Sequence, residues 1–216
     1  MEDILRALST YGFPIVLSGL MLYMAFRFGI ILLTHYEQKL DHKNHNELAL
    51  LRNQISLTIE TLLERAVLKS RASRVYIFEF HNGVTPLGGL PFLKMTNTYE
   101  ALGKGAKSEL HRRENMPMQL FSSFVKAIYE KDCVVMDTEN KSDEYSAMVW
   151  ATLEERDVGV AVCAKVTGLN GKIIGYLGFD FCKGNDFNRD TVYDAIKIVQ
   201  DVAAEVGALL SVDKRK

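Results

Sequence analysis

The longest apolar stretch of the sequence lies near its N-terminus, where residues 12–33 read GFPIVLSGLMLYMAFRFGIILL with a single charge, Arg27. An α-helix rises about 1.5 Å per residue, so about 22 residues cover roughly 33 Å, enough to cross the hydrocarbon core of a bilayer. A buried core helix rarely needs so long a run on every face, and a cleaved signal peptide has a basic start, whereas this chain begins with Glu2 and Asp3. The run therefore predicts an uncleaved transmembrane helix at 12–34. Its predicted membrane residues are Phe13, Ile15, Leu20, Leu22, Arg27, Ile31 and Leu33.

Basic residues gather on the C-terminal side of this run. Arg27 lies within snorkelling reach of that interface, and Lys39 and Lys43 follow it. The positive-inside rule then places residues 1–11 outside a bacterial inner membrane and the bulk of the chain in the cytoplasm. The cysteines agree with a reducing compartment, since three are too few for a disulfide scaffold: Cys133, Cys163 and Cys182.

Size and charge limit what the rest of the chain does. With 216 residues, it has room for one ordinary domain plus appendages. Lys and Arg number 26 against 27 Asp and Glu, and this balance argues against nucleic acid as a partner. The mean hydropathy of −0.01 averages an apolar segment and a domain of ordinary polarity.

Residues 35–72 predict a helix that leads from the membrane segment into the domain. Between residues 36 and 69 there is neither proline nor glycine. Apolar residues recur there at steps of three and four: Leu48, Leu51, Ile55, Ile59, Leu62 and Ala66. Such a face pairs with its copy in a homodimer or packs on its own domain, and the repeat is too short to prove a coiled coil. The nearby histidines lack completing ligands, so no metal site is predicted.

From residue 73 to 212 the pattern changes to mixed strands and helices, followed by a basic tail at 213–216. Strands are predicted at 74–83, 94–102, 133–137, 158–166 and 172–181, and helices at 117–132, 144–156 and 190–210. The first strand ends at an Asn82-Gly83 turn, and its alternation puts Tyr76, Phe78 and Phe80 on one face. Long strands joined by a hairpin, with helices at both ends, predict an α+β domain: an antiparallel sheet flanked by helices.

Three sequence motifs in the last 60 residues carry a family resemblance. They are Val158-Gly159-Val160, the segment 171–177 (GKIIGYL) and Phe187-Asn188-Arg189-Asp190. This half of the domain resembles the C-terminal half of a GAF domain, although Lys165-Val166 stands where that family usually has a proline. The strand end FEFHNG also resembles small GAF-like proteins of bacteria and phages, some of which have an N-terminal membrane helix.

The resemblance implies a pocket between the sheet and the helices and loops that cover it, where family members take cyclic nucleotides, tetrapyrroles or small metabolites. The loop 84–94 would cover that pocket, and basic residues between 103 and 118 would attract an anionic ligand or lipid headgroup. The cyclic-nucleotide and bilin signatures of the family are not matched, so no cofactor is predicted. The candidate ligand-binding residues are Phe80, His81, Asn82, Tyr99, Arg112, Arg113 and Asp180.

No catalytic motif stands out, because the chain has no P-loop, HExxH, CxxC or nucleophile elbow. We therefore expect a non-enzymatic, membrane-anchored cytoplasmic module that acts through a small ligand, a protein partner or both. One alternative is an enzyme that resembles the free methionine sulfoxide reductases, which use pocket cysteines. Another is a phage-encoded membrane accessory protein, for lysis or host takeover, that uses the fold for dimerisation.

Overall fold

The computed structural model describes residues 8–82, 93–184 and 189–212, together with Glu2 and Arg6; it gives backbone alone for 33–47 and for most residues between 8 and 20. The chain divides into two compact units, one ending at Asn53 and the other beginning at Gln54. Several predicted features fall outside the described residues: the turn at Gly83, most of the loop 84–94, Phe187-Asn188 and the tail 213–216.

The first unit is helical. A short π-helix at Leu8–Gly12 precedes helix α1, Phe13–Ser70. Among the residues that the structure describes, no helix is both long and apolar enough to cross a membrane, so the span predicted at 12–34 finds no support there. Leu22, Arg27 and Ile31 are exposed on α1. The other predicted membrane side chains lie outside the described set: Phe13, Ile15, Leu20 and Leu33.

The second unit is built on a six-stranded sheet in the order β3-β2-β1-β6-β5-β4. Every neighbouring pair is antiparallel, which confirms the predicted sheet type. The strands are β1 Arg74–Asn82, β2 Leu93–Leu102, β3 Met116–Pro117, β4 Cys133–Asp137, β5 Val158–Thr167 and β6 Ile173–Cys182. Strand β3 was not predicted from the sequence, because two residues are too few to show an alternating pattern.

Three further helices complete the domain: α2 Ser122–Glu130, α3 Ala147–Glu155 and α4 Arg189–Val212. The predicted helix at 117–132 begins instead as a 3₁₀ turn, Met118–Phe121, because Pro117 is extended and pairs with Lys94 in the sheet. The helix predicted at 144–156 begins only at Ala147, after turns that end at Ser146. The predicted α+β class with flanking helices is confirmed.

One face of the sheet is covered by the C-terminal part of α1 and by α4. Ile59, Leu63 and Ala66 of α1 are buried, so the buried helical face includes Leu63 rather than the predicted Leu62. They pack with Val75, Ile77, Leu177 and Phe179 of the sheet and with Val199, Ala203 and Val206 of α4. This aliphatic layer forms the larger of the two cores, and it makes the end of the predicted linker helix part of the domain.

The opposite face of the sheet is covered by α2 and α3. Phe124 and Ile128 of α2 and Val149, Trp150 and Leu153 of α3 are buried against Tyr76, Phe78 and Tyr176. The predicted alternation of β1 is confirmed, because Tyr76 and Phe78 lie on this face and Val75 and Ile77 on the other. Gly178 makes room for an aromatic ring here, since a Cβ at this position would overlap the ring of Tyr76.

Candidate functional site

A small cavity lies between the sheet and the layer formed by α2 and α3. Its volume is about 40 Å³, and five of its fourteen lining residues are aromatic. Phe78 stacks on Tyr176 with ring centroids 5.0 Å apart, and Phe124 meets Tyr176 edge-on at 5.0 Å. The lining residues are Tyr76, Phe78, Met95, Arg113, Met116, Phe121, Phe124, Met136, Val149, Thr152, Leu153, Arg156, Cys163 and Tyr176. We call this space the inner cavity.

Among the residues that the structure describes, two arginines supply the charges in the wall of the inner cavity. Arg113, which precedes β3, donates to Glu155 Oε2 at 2.8 Å and lies 3.5 Å from Glu109 Oε2. Arg156, which follows α3, reaches under the helix, and its guanidinium carbon lies 4.7 Å from the centroid of the Tyr76 ring. The Arg113–Glu155 pair therefore ties the connection before β3 to the end of α3.

Asp180 of β6 is completely buried, and its carboxylate binds two arginines and a tyrosine. Arg74 Nη1 donates to its carboxylate at 2.8 Å, Tyr76 Oη donates to it at 3.0 Å, and Arg156 Nη2 binds it as well. A buried carboxylate requires such partners, because burial without them costs several kcal/mol. Burial raises the pKa of Tyr76 and Tyr176 well above the ordinary phenol value, so both hydroxyls stay protonated at neutral pH.

A second, more polar pocket of about 390 Å³ lies where β1 begins and β6 ends. Six of its lining residues are basic and three are acidic. Arg156 lines both this outer pocket and the inner cavity. The lining residues are Ser73, Arg74, Lys104, Gly105, Ala106, Lys107, Glu109, Arg112, Glu155, Arg156, Asp157, Cys182 and Lys183.

Glu100 and Arg74 fix the loop that forms one wall of the outer pocket. Ser108 Oγ donates to Glu100 at 2.5 Å, and the backbone N–H of Glu109 donates to the same carboxylate at 3.0 Å. Arg74 Nε and Nη2 donate to the carbonyl of Lys107 at 3.2 and 2.9 Å. The loop is thus held by buried groups, while the Lys104 and Lys107 side chains remain exposed.

The structure brings three of the predicted ligand-binding residues together around Arg156. Arg113 lines the inner cavity, Arg112 lines the outer pocket, and Asp180 binds Arg156 between them. Phe80 lies farther along β1, where its ring stacks on Tyr129 with centroids 6.2 Å apart.

The other predicted residues do not join this cluster. His81 Nε2 forms a hydrogen bond of 2.9 Å with Thr96 Oγ1 across the β1–β2 pair. Asn82 ends β1 opposite Leu93, and its side chain lies outside the described residues. Tyr99 packs on the aliphatic face of the sheet, where its hydroxyl lies 3.0 Å from Ser56 Oγ. Strand alternation thus directs Tyr99 away from both cavities.

Arg74, Glu100 and Arg156 are the site residues that the sequence did not reveal. A charged residue in an otherwise apolar strand needs a partner, and Asp180 in LGFDF gave that signal. Arg74 lies directly opposite Asp180 in the β1–β6 register, so the pairing of these two strands would have identified it. Arg156 carries no comparable signal, because a basic residue after a helix is ordinary.

The three cysteines are dispersed over the sheet. Cys133 packs with the aliphatic core and Cys163 with the aromatic one, so the two thiols face opposite sides. Burial raises the pKa of Cys133 to about 11 and that of Cys163 further still. Cys182 ends β6, and its Sγ lies 3.9 Å from the carbonyl oxygen of Arg156. All three are free thiols.

Comparison with known proteins finds similarity in structure alone. No protein-family model and no curated protein matches the sequence. A far-red cyanobacteriochrome photoreceptor matches with a TM-score of 0.56 and 11% identity, covering 85% of this chain and 100% of that one. The phycocyanobilin-bound GAF domain of a cyanobacterial phytochrome matches with a TM-score of 0.53 and 14% identity, over 79% and 95%. The PixJ GAF domain of Thermosynechococcus elongatus gives 0.53 and 11%, over 76% and 91%.

The fold is GAF-like. This result confirms the fold-level resemblance, although the sequence identities are too low to transfer a ligand. A tetrapyrrole such as the one in the phytochrome domain does not fit the inner cavity of this GAF-like domain, because drug-sized ligands occupy several hundred Å³ and the cavity measures about 40 Å³. Met95, Met116, Phe121 and Tyr176 are among the large side chains that line the cavity.

Proposed function

We propose that the GAF-like domain is a ligand-binding sensory module that acts through a partner and has no catalytic output of its own. The inner cavity carries this proposal. It combines a mainly apolar wall, partly aromatic, with two guanidinium groups, and pockets of this composition bind small molecules with an apolar body and a few oriented polar groups. Arg113 and Arg156 favour a ligand that bears a negative charge.

Binding in the inner cavity would couple to movement of α3. The present volume of about 40 Å³ holds little more than a water molecule, so a metabolite needs the cavity to widen. Helix α3 has nine residues and lies at the surface, with Ala147 to Glu155 contributing three buried apolar side chains. Its outward displacement would break the Arg113–Glu155 pair, and this rearrangement is the signal that a partner would detect.

Two variants that introduce the same side chain at neighbouring positions test the proposal in the full-length chain. Thr152 lines the cavity, whereas its neighbour Ala151 is exposed, so Thr152→Phe fills the cavity and Ala151→Phe does not. Thermal shift is measured against cyclic mononucleotides, cyclic dinucleotides and methionine sulfoxide. We expect at least one compound to raise the Tm of the native chain and of Ala151→Phe, but not that of Thr152→Phe. Failure of every compound on the native chain, or an unchanged shift in Thr152→Phe, contradicts the proposal.

The arrangement of the thiols supports the absence of a cysteine-based activity. A reductase mechanism needs a reactive thiolate and a second thiol close to it, whereas Cys133 and Cys163 face opposite sides of the sheet. The double variant Cys133→Ala/Cys182→Ala is expected to leave ligand-induced Tm shifts unchanged. Methionine sulfoxide reduction that disappears in this variant would instead support the enzymatic alternative.

Attachment to a bacterial inner membrane through residues 12–34, with the N-terminus outside and the domain in the cytoplasm, is also proposed. It is supported by a run of apolar side chains exposed on α1: Met21, Leu22, Tyr23, Met24, Phe26, Phe28, Ile30, Ile31 and Leu32. Exposed apolar surface of this extent is covered by lipid or by protein. A chain shortened to residues 35–216 is expected to leave the membrane fraction, and its retention there would contradict this attachment.

A further inference from the structure

The outer pocket has features of an anion-binding site, and it shares one lining residue, Arg156, with the inner cavity. Lys104 and Lys107 extend from the loop that forms its wall, and neither has a salt bridge among the residues that the structure describes. Arg112 is largely exposed, and its nearest carboxylate, Glu109, lies 3.8 Å away. Three cations that line one concave volume, two of them without a salt bridge among the described residues, leave a positive potential there.

Arg156 supplies the second observation. Its side chain is only 6% exposed, and its Nε lacks a hydrogen-bond partner among the described residues. A buried N–H without an acceptor is costly, so such groups generally mark a site for water, an ion or a ligand. The same guanidinium binds Asp180 through Nη2, and Arg156 is one of the residues that line the outer pocket.

We propose that the outer pocket binds a phosphate-bearing ligand. Its volume of about 390 Å³ accommodates a phosphorylated metabolite, whereas the inner cavity does not. Lys104, Lys107 and Arg112 supply exposed charges, and Arg156 supplies a fixed donor in the wall. Lysine binds phosphate as a point charge and arginine adds directed hydrogen bonds, so this combination suits a phosphate group.

Two of the three acidic side chains that line the pocket are paired with arginines. Glu155 accepts from Arg113, and Glu109 lies near both Arg112 and Arg113. Asp157 has a left-handed φ of 57°, and its carbonyl accepts the N–H of Lys183. These pairs position the loop and the end of α3, and the three lysines that line the pocket, Lys104, Lys107 and Lys183, have no salt bridge among the described residues.

Pyrophosphate binding to the full-length chain, measured by calorimetry, tests the site. In Lys104→Ala/Lys107→Ala, loss of two charge-assisted contacts is expected to weaken binding about tenfold or more. The matched control is Lys126→Ala/Lys172→Ala, which removes the same charge from exposed positions outside the pocket and is expected to change affinity less than about twofold. Equal affinity in the two double variants, or no binding to the native chain, would overturn the proposal.

A vesicle arm identifies the source of the phosphate. Vesicles of anionic phospholipid are compared with zwitterionic ones for the native chain and both double variants. If only Lys104→Ala/Lys107→Ala loses the preference for anionic vesicles, and pyrophosphate competes, the site takes a lipid headgroup. If pyrophosphate binds but no vesicle preference depends on these lysines, the ligand is soluble.

Arg156→Lys keeps the charge but lacks Nε, and it should weaken pyrophosphate binding in either case. The Thr152→Phe variant should bind pyrophosphate normally, which separates this site from the inner cavity.

Discussion

The face of the sheet beneath α1 and α4 is packed with aliphatic and phenylalanine side chains, whereas the face beneath α2 and α3 combines aromatic rings with a cavity and buried charge. Ile59, Leu63 and Phe179 on the first face are completely buried and have apolar neighbours. On the second face Tyr76 bridges an aromatic cluster and the Asp180 carboxylate. We therefore assign stability to the first face and the proposed ligand binding to the second.

The largest expected effect comes from the aliphatic face. Phe179→Ala removes a fully buried ring from the larger core and should lower the free energy of unfolding by about 3–5 kcal/mol. Tyr193→Ala, at a residue of α4 that is 70% exposed, is the aromatic control and should change it by no more than about 0.5 kcal/mol. Urea denaturation measures both variants. Similar losses in the two would show that this face is not the main core.

Asp180→Asn should have the next largest effect, because it leaves Arg74 and Arg156 buried without their shared counter-charge. We expect a loss of about 3 kcal/mol. Adding Arg156→Met to this variant removes one uncompensated charge and should recover part of the loss. Urea denaturation of the single and double variants completes this double-mutant cycle. Strictly additive losses would mean that Asp180 and Arg156 do not interact energetically.

Gly178→Ala probes the packing between Tyr76 and β6. The new methyl group would overlap the Tyr76 ring and push it from the cavity wall, at a cost of about 1–3 kcal/mol. Gly29→Ala, whose Cβ would have no heavy atom within 4 Å, is the control and should be neutral or slightly stabilising. Thermal unfolding compares the two. A neutral result at Gly178 would mean that the ring moves without resistance.

The smallest effect concerns pH. Burial raises the pKa of Cys133 from 9.0 to about 11, so the folded chain favours the protonated thiol. The contribution of this group to stability is therefore fully present below pH 9 and is lost as the pH rises towards 11. Cys133→Ala should flatten the decline of Tm across this interval by a small amount. An identical decline in the variant and the native chain would contradict the assignment.

The sequence predicted most of the fold because its periodicities are strong. Strand β4 at Cys133–Asp137 has the predicted bounds, and the alternation along β1 separates the two cores as expected. The first residues of the helices were harder to predict, because the extended Pro117 and the turns before Ala147 depend on neighbouring elements rather than on the local pattern. The order of the strands, with β6 between β1 and β5, is a tertiary property that no local period encodes.

The candidate site was only partly predictable for the same reason. Asp180, Arg112 and Arg113 were identified as charged residues in a suggestive setting, and they do surround Arg156. Arg156 itself acquires its role from the chain turn at Asp157, which brings its side chain beneath α3. Tyr99, also a candidate ligand-binding residue, packs on the aliphatic face of the sheet, and the β1–β2 pair has a register shift between Ile77 and Phe78.

Native-state amide hydrogen exchange on the full-length chain tests most directly whether the face beneath α2 and α3 opens for a ligand. If ligand entry requires α3 to move, amides of Ala147–Glu155 should open locally at a lower free energy than those of α4 around Val199–Val206. Without ligand, exchange is expected to be at least about tenfold faster in α3 than in the middle of α4. Equal protection of the two helices would contradict it, because the inner cavity would then be sealed by a helix as stable as the core.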